Sequence, residues 1–261
     1  MNPALWVAKT GLDAQQKSMQ VTSNNLANVN TNGFKKDRAN FEDLFYQTVR
    51  QPGGRSSQDT MLPSGLMLGT GSRVAGTEKI HSQGNIQQTE RNLDVAIEGK
   101  GFFQILRPDG EVAYTRDGAF QLNEQGQLVT TGGYLLEPAI EVPQDAQSVT
   151  IGTDGTVTAK MPNQADPEEL GQIELADFIN PSGLEPVGEN LFQETASSGA
   201  PVVGMPGEDA FGSVMQGALE TSNVNIAEEL VNMIETQRGF ETNTRAISTT
   251  DQMLQFMTQN V

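Results

Sequence analysis

The 261-residue sequence has no cysteine, one histidine and one tryptophan. Without cysteine there is no disulfide, no thiolate nucleophile and no cysteine-ligated metal. With His81 as the sole imidazole, histidine metal clusters and the usual His-based triads have nothing to build on. Basic residues are scarce as well. Only 16 face 33 acidic ones, a formal net charge of −17, which argues against a general nucleic-acid binder and favours solubility. No apolar run is long enough to span a membrane, so no membrane insertion is expected. In residues 1–20, Lys9, Asp13 and Lys17 break any apolar stretch, so no cleavable secretory signal is expected either. The chain then stays in the cytosol or is exported by a route that cuts nothing off.

The two ends of the chain, by contrast, carry strong helical periodicity. Leu5, Leu12, Met19 and Leu26 recur every seven residues, flanked by Ala8, Ala14 and Val21. At the other end Ile226, Met233, Phe240, Ile247 and Leu254 do the same, while the row Leu230, Gln237, Thr244, Asp251 begins apolar and turns polar. Asn225 with Glu228 three residues later reads as an N-cap and capping-box pair, and Glu228 and Glu229 suit the positive end of the helix dipole. That last helix would run roughly 50 Å at 1.5 Å per residue, and so long an amphipathic helix needs a partner. The first helix is expected to end in the Asn28–Gly33 run, whose Asn and Gly residues favour left-handed caps. Two terminal heptad helices can pair as an antiparallel coiled coil, or each can cover the core of a globular domain. Periodicity alone fits both.

Between them the pattern changes. Residues 34–50, with Phe34, Phe41, Leu44, Phe45, Tyr46 and Val49, suit a short amphipathic helix, and the Gly- and Pro-rich stretch 51–73 reads as a loop or an extended arm. From residue 73 onward the period is two. Leu93, Val95 and Ile97 alternate, and Asp109-Gly110, Asp117-Gly118 and Asp154-Gly155 mark turns. Short strands at such spacing imply an antiparallel sandwich or barrel. The fold class expected is therefore α+β. Its parts are a terminal helical domain (1–33 and 222–261), connecting segments (34–72 and 201–221) with an arm at 46–65, and a central β domain (73–200).

Residues able to do chemistry are few. Gly99-Lys100 is followed by glycine and lacks a P-loop frame. His81, followed by Ser82-Gln83-Gly84, reads as an exposed turn residue. Lys35, Lys36 and Arg38 read as a solvated face. The aspartates before glycines are explained by turn geometry. Asp94 and Glu98 form the one conceivable carboxylate pair, with no pocket or base to name beside it. No catalytic, metal or cofactor residues are assigned, and catalysis is not expected.

Three stretches carry a family resemblance. Ser23 to Phe34 (SNNLANVNTNGF) resembles the N-terminal signature of the bacterial flagellar rod and hook family, its key positions being Asn24, Asn25, Leu26, Ala27, Asn28, Gly33 and Phe34. Leu93 to Phe103 (LDVAIEGKGFF), followed by Tyr114 to Gly118, is similar to the family's central motif, and Ser222 to Gln255 to its closing helix. The overall length and the segment from Tyr46 to Gly65 favour the distal-rod branch. A hook-type subunit would be flexible and carry a larger outer region than 73–200. A peptidoglycan hydrolase would need paired carboxylates in a cleft, or a metal.

The resemblance implies a structural subunit that self-assembles helically into a rigid drive shaft spanning the periplasm, exported without a cleaved signal. It implies contacts with proximal-rod subunits, hook protein, rod cap and surrounding rings. Leu5, Leu12, Met19, Leu26, Ile226, Leu230, Met233, Phe240, Ile247 and Leu254 would form helix and subunit interfaces. Tyr46, Gln51, Pro52, Gly53, Gly54, Leu62 and Pro63 would belong to a stiffening arm.

Overall fold

The computed structural model describes residues 3–51, 64–162, 166–208 and 211–259. The fold is α+β, with one long helix at each end and mainly antiparallel strands between. The chain divides into two compact units. One comprises residues 1–27, 37–78 and 225–261, and the other residues 28–36 and 79–224.

The first unit is built from two helices and a ribbon. Helix α1 spans Pro3–Ala27, with proline where the first helical turn tolerates it. Strands β1 (Asp37–Asp43), β2 (Tyr46–Arg50), β3 (Leu66–Gly69) and β4 (Ser72–Lys79) follow, and α2 (Ile226–Gln259) closes the chain. The side chain of Asn225 caps α2, its Oδ1 accepting from the Ala227 N–H at 3.0 Å.

β1 pairs with β4, and β2 with β3 in antiparallel register from Tyr46↔Gly69 to Arg50↔Leu66. The Leu44 N–H donates to Gly71 O at 2.9 Å and the Thr70 N–H to Phe45 O at 3.2 Å, carrying the ladder across the joint. The four strands therefore make one continuous two-stranded ribbon. At the joint Gly71 has φ +120°, and a Cβ there would lie 2.0 Å from Thr10 Oγ1, so this glycine lets the ribbon seat against α1.

Two expectations fail in this region. Residues 37–43 and 46–50 are strands rather than a short helix, and where 51–73 reads as a loop or an extended arm, β3 and the start of β4 are paired strand rather than loop. The reason is non-local. β2 pairs with β3 from Tyr46↔Gly69 to Arg50↔Leu66, and Arg38 of β1 reaches Glu78 of β4, 40 positions away, so each strand's partner lies beyond what a local period count sees.

The second unit opens with β5 (Ile86–Gln88), β6 (Val95–Glu98), β7 (Phe102–Leu106), β8 (Val112–Thr115), β9 (Gln121–Leu122), β10 (Leu128–Val129) and β11 (Leu135–Glu137). It continues with β12 (Ser148–Ile151), β13 (Thr156–Lys160), β14 (Glu168–Gln172), β15 (Leu175–Asp177), β16 (Glu185–Gly188) and β17 (Leu191–Gln193). The last are β18 (Val202–Gly204), β19 (Ser213–Gln216) and β20 (Ala218–Glu220). The main sheet runs β16-β17-β8-β7-β11-β10-β9, with β15 joining β7 to β18. Smaller sheets are β12-β13-β14, β19-β6 and β20-β5.

Strand β7 shows how alternation becomes core. Phe103 and Ile105 enter one apolar cluster with Val95, Ile97 and Phe120, while Phe102 enters a second with Tyr114, Phe178 and Phe192. Both faces of the sheet are thus covered, so a period-two strand buries nearly every side chain. Edge-on ring contacts, Phe103–Phe120 at 5.2 Å and Tyr114–Phe178 at 4.7 Å, add directional packing to each cluster.

Candidate functional site

Within the first unit α1 and α2 lie side by side in antiparallel sense. Gly11 faces Asn243 and Gln15 faces Gly239, so four residues forward on one helix match four back on the other. Asn25 meets Glu229 in the same register, its Nδ2 3.4 Å from Glu229 Oε2. A Cβ on Gly11 would lie 3.0 Å from the Asn243 amide nitrogen, and one on Gly239 3.1 Å from that of Gln15. Each glycine thus makes room for a carboxamide of the other helix.

The covered row of α2 is Glu229, Thr236, Asn243 and Thr250, seven residues apart and polar, with the first two buried. It lies three positions from the apolar row read in the sequence. Of the residues expected at interfaces, Leu5, Leu12, Met19, Leu26, Met233 and Ile247 are half-buried. Ile226 (49 %), Leu230 (43 %) and Phe240 face outward in company with Val231 and Ile234. The Leu254 side chain lies outside the described residues. Sequence reasoning missed the polar seam because polar residues at heptad spacing resemble an outer face.

The ribbon is also rich in uncovered apolar surface. Phe45 is 92 % exposed, and Tyr46, Val49, Leu66, Met67 and Leu68 are all exposed on β2 and β3. Of the expected arm residues Tyr46 and Gln51 are exposed. Pro52, Gly53, Gly54, Leu62 and Pro63 lie outside the described residues.

The signature stretch is structural from end to end. Asn25, 2 % exposed, donates through Nδ2 to Asp37 O and accepts through Oδ1 from the Asp37 N–H, both at 2.8 Å, which pins the start of β1 to α1. Asn24 reaches the Asp37 carboxylate at 3.4 Å. Leu26 is half-buried and Ala27, the last residue of α1, is exposed. In the second unit Asn28 starts a turn closed by the Thr31 N–H on its carbonyl at 3.2 Å. Gly33 has φ +67°, and a Cβ there would lie 2.6 Å from the Asp117 backbone nitrogen. Phe34 lies under the Lys79 ammonium at 5.0 Å.

Beside this turn is a buried ionic group that corrects two sequence readings. Lys35 belongs to no solvated face. Its side chain is 1 % exposed, and its Nζ contacts Glu220 Oε1 at 2.5 Å and Ser82 O at 2.8 Å. Arg116 approaches Glu220 Oε2 at 3.2 Å and donates to Gly99 O at 2.7 Å, and the Gly84 N–H donates to Glu220 Oε1 at 2.8 Å. Burial lowers the Lys35 and Arg116 pKa values, and Glu220 works against that in both. His81 is likewise no exposed turn residue. Both ring nitrogens are buried, and the ring packs edge-on against Phe102 at 5.6 Å and Phe192 at 5.5 Å. Burial first, then the Lys35, Arg116 and Lys79 charges, push its pKa down to about 4.

The remaining acids do what turns and loops require. Asp94 accepts from Thr89 Oγ1 at 2.8 Å while Glu98 is exposed, so the two form no working pair. Asp117 and Asp154 accept from the N–H groups of Ala119 and Thr156, both at 3.1 Å. Among the described residues no group of three His, Asp or Glu side chains converges as a metal site, and no helix is long and apolar enough to cross a membrane.

A helix pair with a polar seam and outward apolar rows, bearing an exposed ribbon, defines an assembling rather than a catalytic class. Three family profiles identify it. "Flagella basal body rod protein" matches residues 5–35, "Flagellar hook protein FlgE/F/G D1 domain" residues 96–159, and "Flagellar basal body rod FlgEFG protein C-terminal" residues 215–260.

Individual relatives narrow the class. The chain is 58 % identical to the flagellar basal-body rod protein FlgG of Buchnera aphidicola subsp. Schizaphis graminum, over 99 % of this chain and 100 % of that one. It is 49 % identical to the FlgG protein of Borreliella burgdorferi, over 97 % of each chain. With the FlgG protein of Caulobacter vibrioides it shares 48 % identity over 98 % of each. The chain belongs to the FlgG family of flagellar basal-body rod proteins.

Proposed function

We propose that the chain is a structural, non-catalytic axial subunit that self-assembles helically into the rigid distal rod, the shaft carrying motor torque to the hook. The observation that carries this reading is the outward apolar row of α2, Ile226, Leu230, Val231 and Ile234, on a helix whose other side is already covered by α1. Exposed apolar rows of this kind mark contact surfaces. Head-to-tail contacts that never close a ring generate a filament.

In this reading α1 and α2 form a coiled coil through Leu5, Leu12, Met19, Leu26, Met233 and Ile247. Ile226, Leu230, Phe240 and Leu254 meet neighbouring copies along the inner tube, and the β domain lies outside it. The ribbon with its 46–65 arm bridges adjacent copies and stiffens the shaft. Proximal-rod subunits, hook protein, rod cap and surrounding rings are the further partners. No cofactor or nucleic acid takes part. The rod spans the periplasm, and the subunit reaches it by export without signal cleavage.

The test is a triple variant, Ile226→Ser, Leu230→Ser and Ile234→Ser, followed by light scattering and electron microscopy under polymerising conditions. The variant should stay a folded monomer and form no filaments. Filaments at the wild-type rate would remove the reading.

A further inference from the structure

The buried ionic group lies where both connecting segments are attached to the second unit. The Gly33 N–H donates to Glu220 O at 2.8 Å, the Lys36 N–H to Asn223 Oδ1 at 2.8 Å, and Asn223 Nδ2 to Ile80 O at 2.8 Å. Segments 33–36, 80–84 and 220–223 therefore form one cross-tied junction, with Glu220 at its centre. Two cations, Lys35 and Arg116, are bonded to that single carboxylate, and each donates once more, to the backbone carbonyls of Ser82 and Gly99, while Arg116 Nε is buried without a hydrogen bond.

His81 stands against this group with little to receive a proton. Its ring contacts are the apolar faces of Phe102 and Phe192, and neither nitrogen makes a hydrogen bond of ordinary geometry. The charges acting on it are Lys35, Arg116 and Lys79, all positive, and only the Pro181 carbonyl favours a protonated ring. The acids of the neighbourhood, Glu220 and Asp177, act on Arg116.

We propose that His81 and the Lys35–Glu220–Arg116 group form an acid-opened latch that holds both connecting segments on the β unit. With the ring neutral the latch is shut. Protonation places a further positive charge on a buried ring beside the charges of Lys35, Arg116 and Lys79, and the junction opens.

The sign follows from linkage. An opened or unfolded chain has a histidine pKa of about 6.5, while burial and the three cations hold the shut form near 4. Between those values the open form binds the extra proton. Opening thus becomes about ten-fold more favourable for each unit of pH lost, and the effect is absent above the window.

Because His81 is the only histidine, its imidazole proton signal in the full-length monomer is unambiguous. The experiment follows that signal through pH 8 to 4. In the same monomer, amide exchange at Gly33 and Gly84, both bonded to Glu220, is measured at pH 6.5 and 4.5 after correction for intrinsic rates. The wild-type ring should not titrate above about pH 5, and both amides should exchange roughly forty-fold faster at the lower pH. In His81→Phe, which keeps the ring packing, the change should shrink to a few-fold. A ring titrating near 6.5 overturns the proposal, as does equal acceleration in the variant, which would place the acid response on the carboxylates. Should His81→Phe fail to fold, His81→Gln makes the same comparison.

Discussion

The two units solve opposite problems with the same chain. The β unit holds 22 acidic and 8 basic residues, a difference of −14, whereas the helix and ribbon unit holds 11 and 8, a difference of −3. The β unit packs its aromatic side chains into clusters around Phe103 and Phe102 and buries an ionic group beside them, leaving Ile179, Val202 and Met205 among its exposed apolar side chains. The helix unit does the reverse. Its helices meet along Glu229, Thr236 and Asn243, and it turns Trp6, Ile226, Leu230, Phe45 and Val49 outward. A high net charge favours a soluble, monomeric surface, and exposed apolar rows favour contact. One unit is thus built to be stable alone and the other to be completed by neighbours.

Three variants probe that contrast, and Trp6, the single tryptophan, lies on α1 and reports the helix unit separately. The largest effect is expected from Glu220→Ala. It leaves Lys35 and Arg116 buried together without a counter-charge, which should cost about 3–5 kcal/mol. Urea unfolding followed by near-ultraviolet dichroism would register this loss, while the Trp6 fluorescence transition changes far less. Equal losses in both signals would break the contrast.

Asn25→Ala comes next. It strands the Asp37 N–H and a buried Glu229, for about 1–3 kcal/mol, and here the Trp6 transition should move more than the β signal. Smallest on stability are the serine replacements at Ile226, Leu230 and Ile234, within about 0.5 kcal/mol for exposed positions, although filament formation is lost.

Much of this architecture was legible in the residues. The heptad rows and the Asn225 cap give both terminal helices, and alternation with Asp-Gly turns gives the β unit. What the sequence hid is set by distant partners. Lys35 looks solvated until Glu220, 185 positions away, is brought beside it, and His81 looks like a turn residue until Phe102 and Phe192 enclose it. Ribbon strands that pair across a long excursion leave no local period. The seam of α2 was hidden for another reason. Glycine opposite carboxamide packs two helices closely with almost no apolar signal, so Gly11, Gln15, Gly239 and Asn243 read as ordinary surface.

The most direct measurement is hydrogen exchange, read by mass spectrometry, on the monomer and on the assembled filament under the same conditions. Peptides from β6, β7 and β8 should be equally protected in both. Peptides from α1, α2 and the ribbon should exchange faster than the β strands in the monomer and gain strong protection on assembly. Helices already protected in a monodisperse monomer, with no further change in the filament, would contradict the division of labour between the two units.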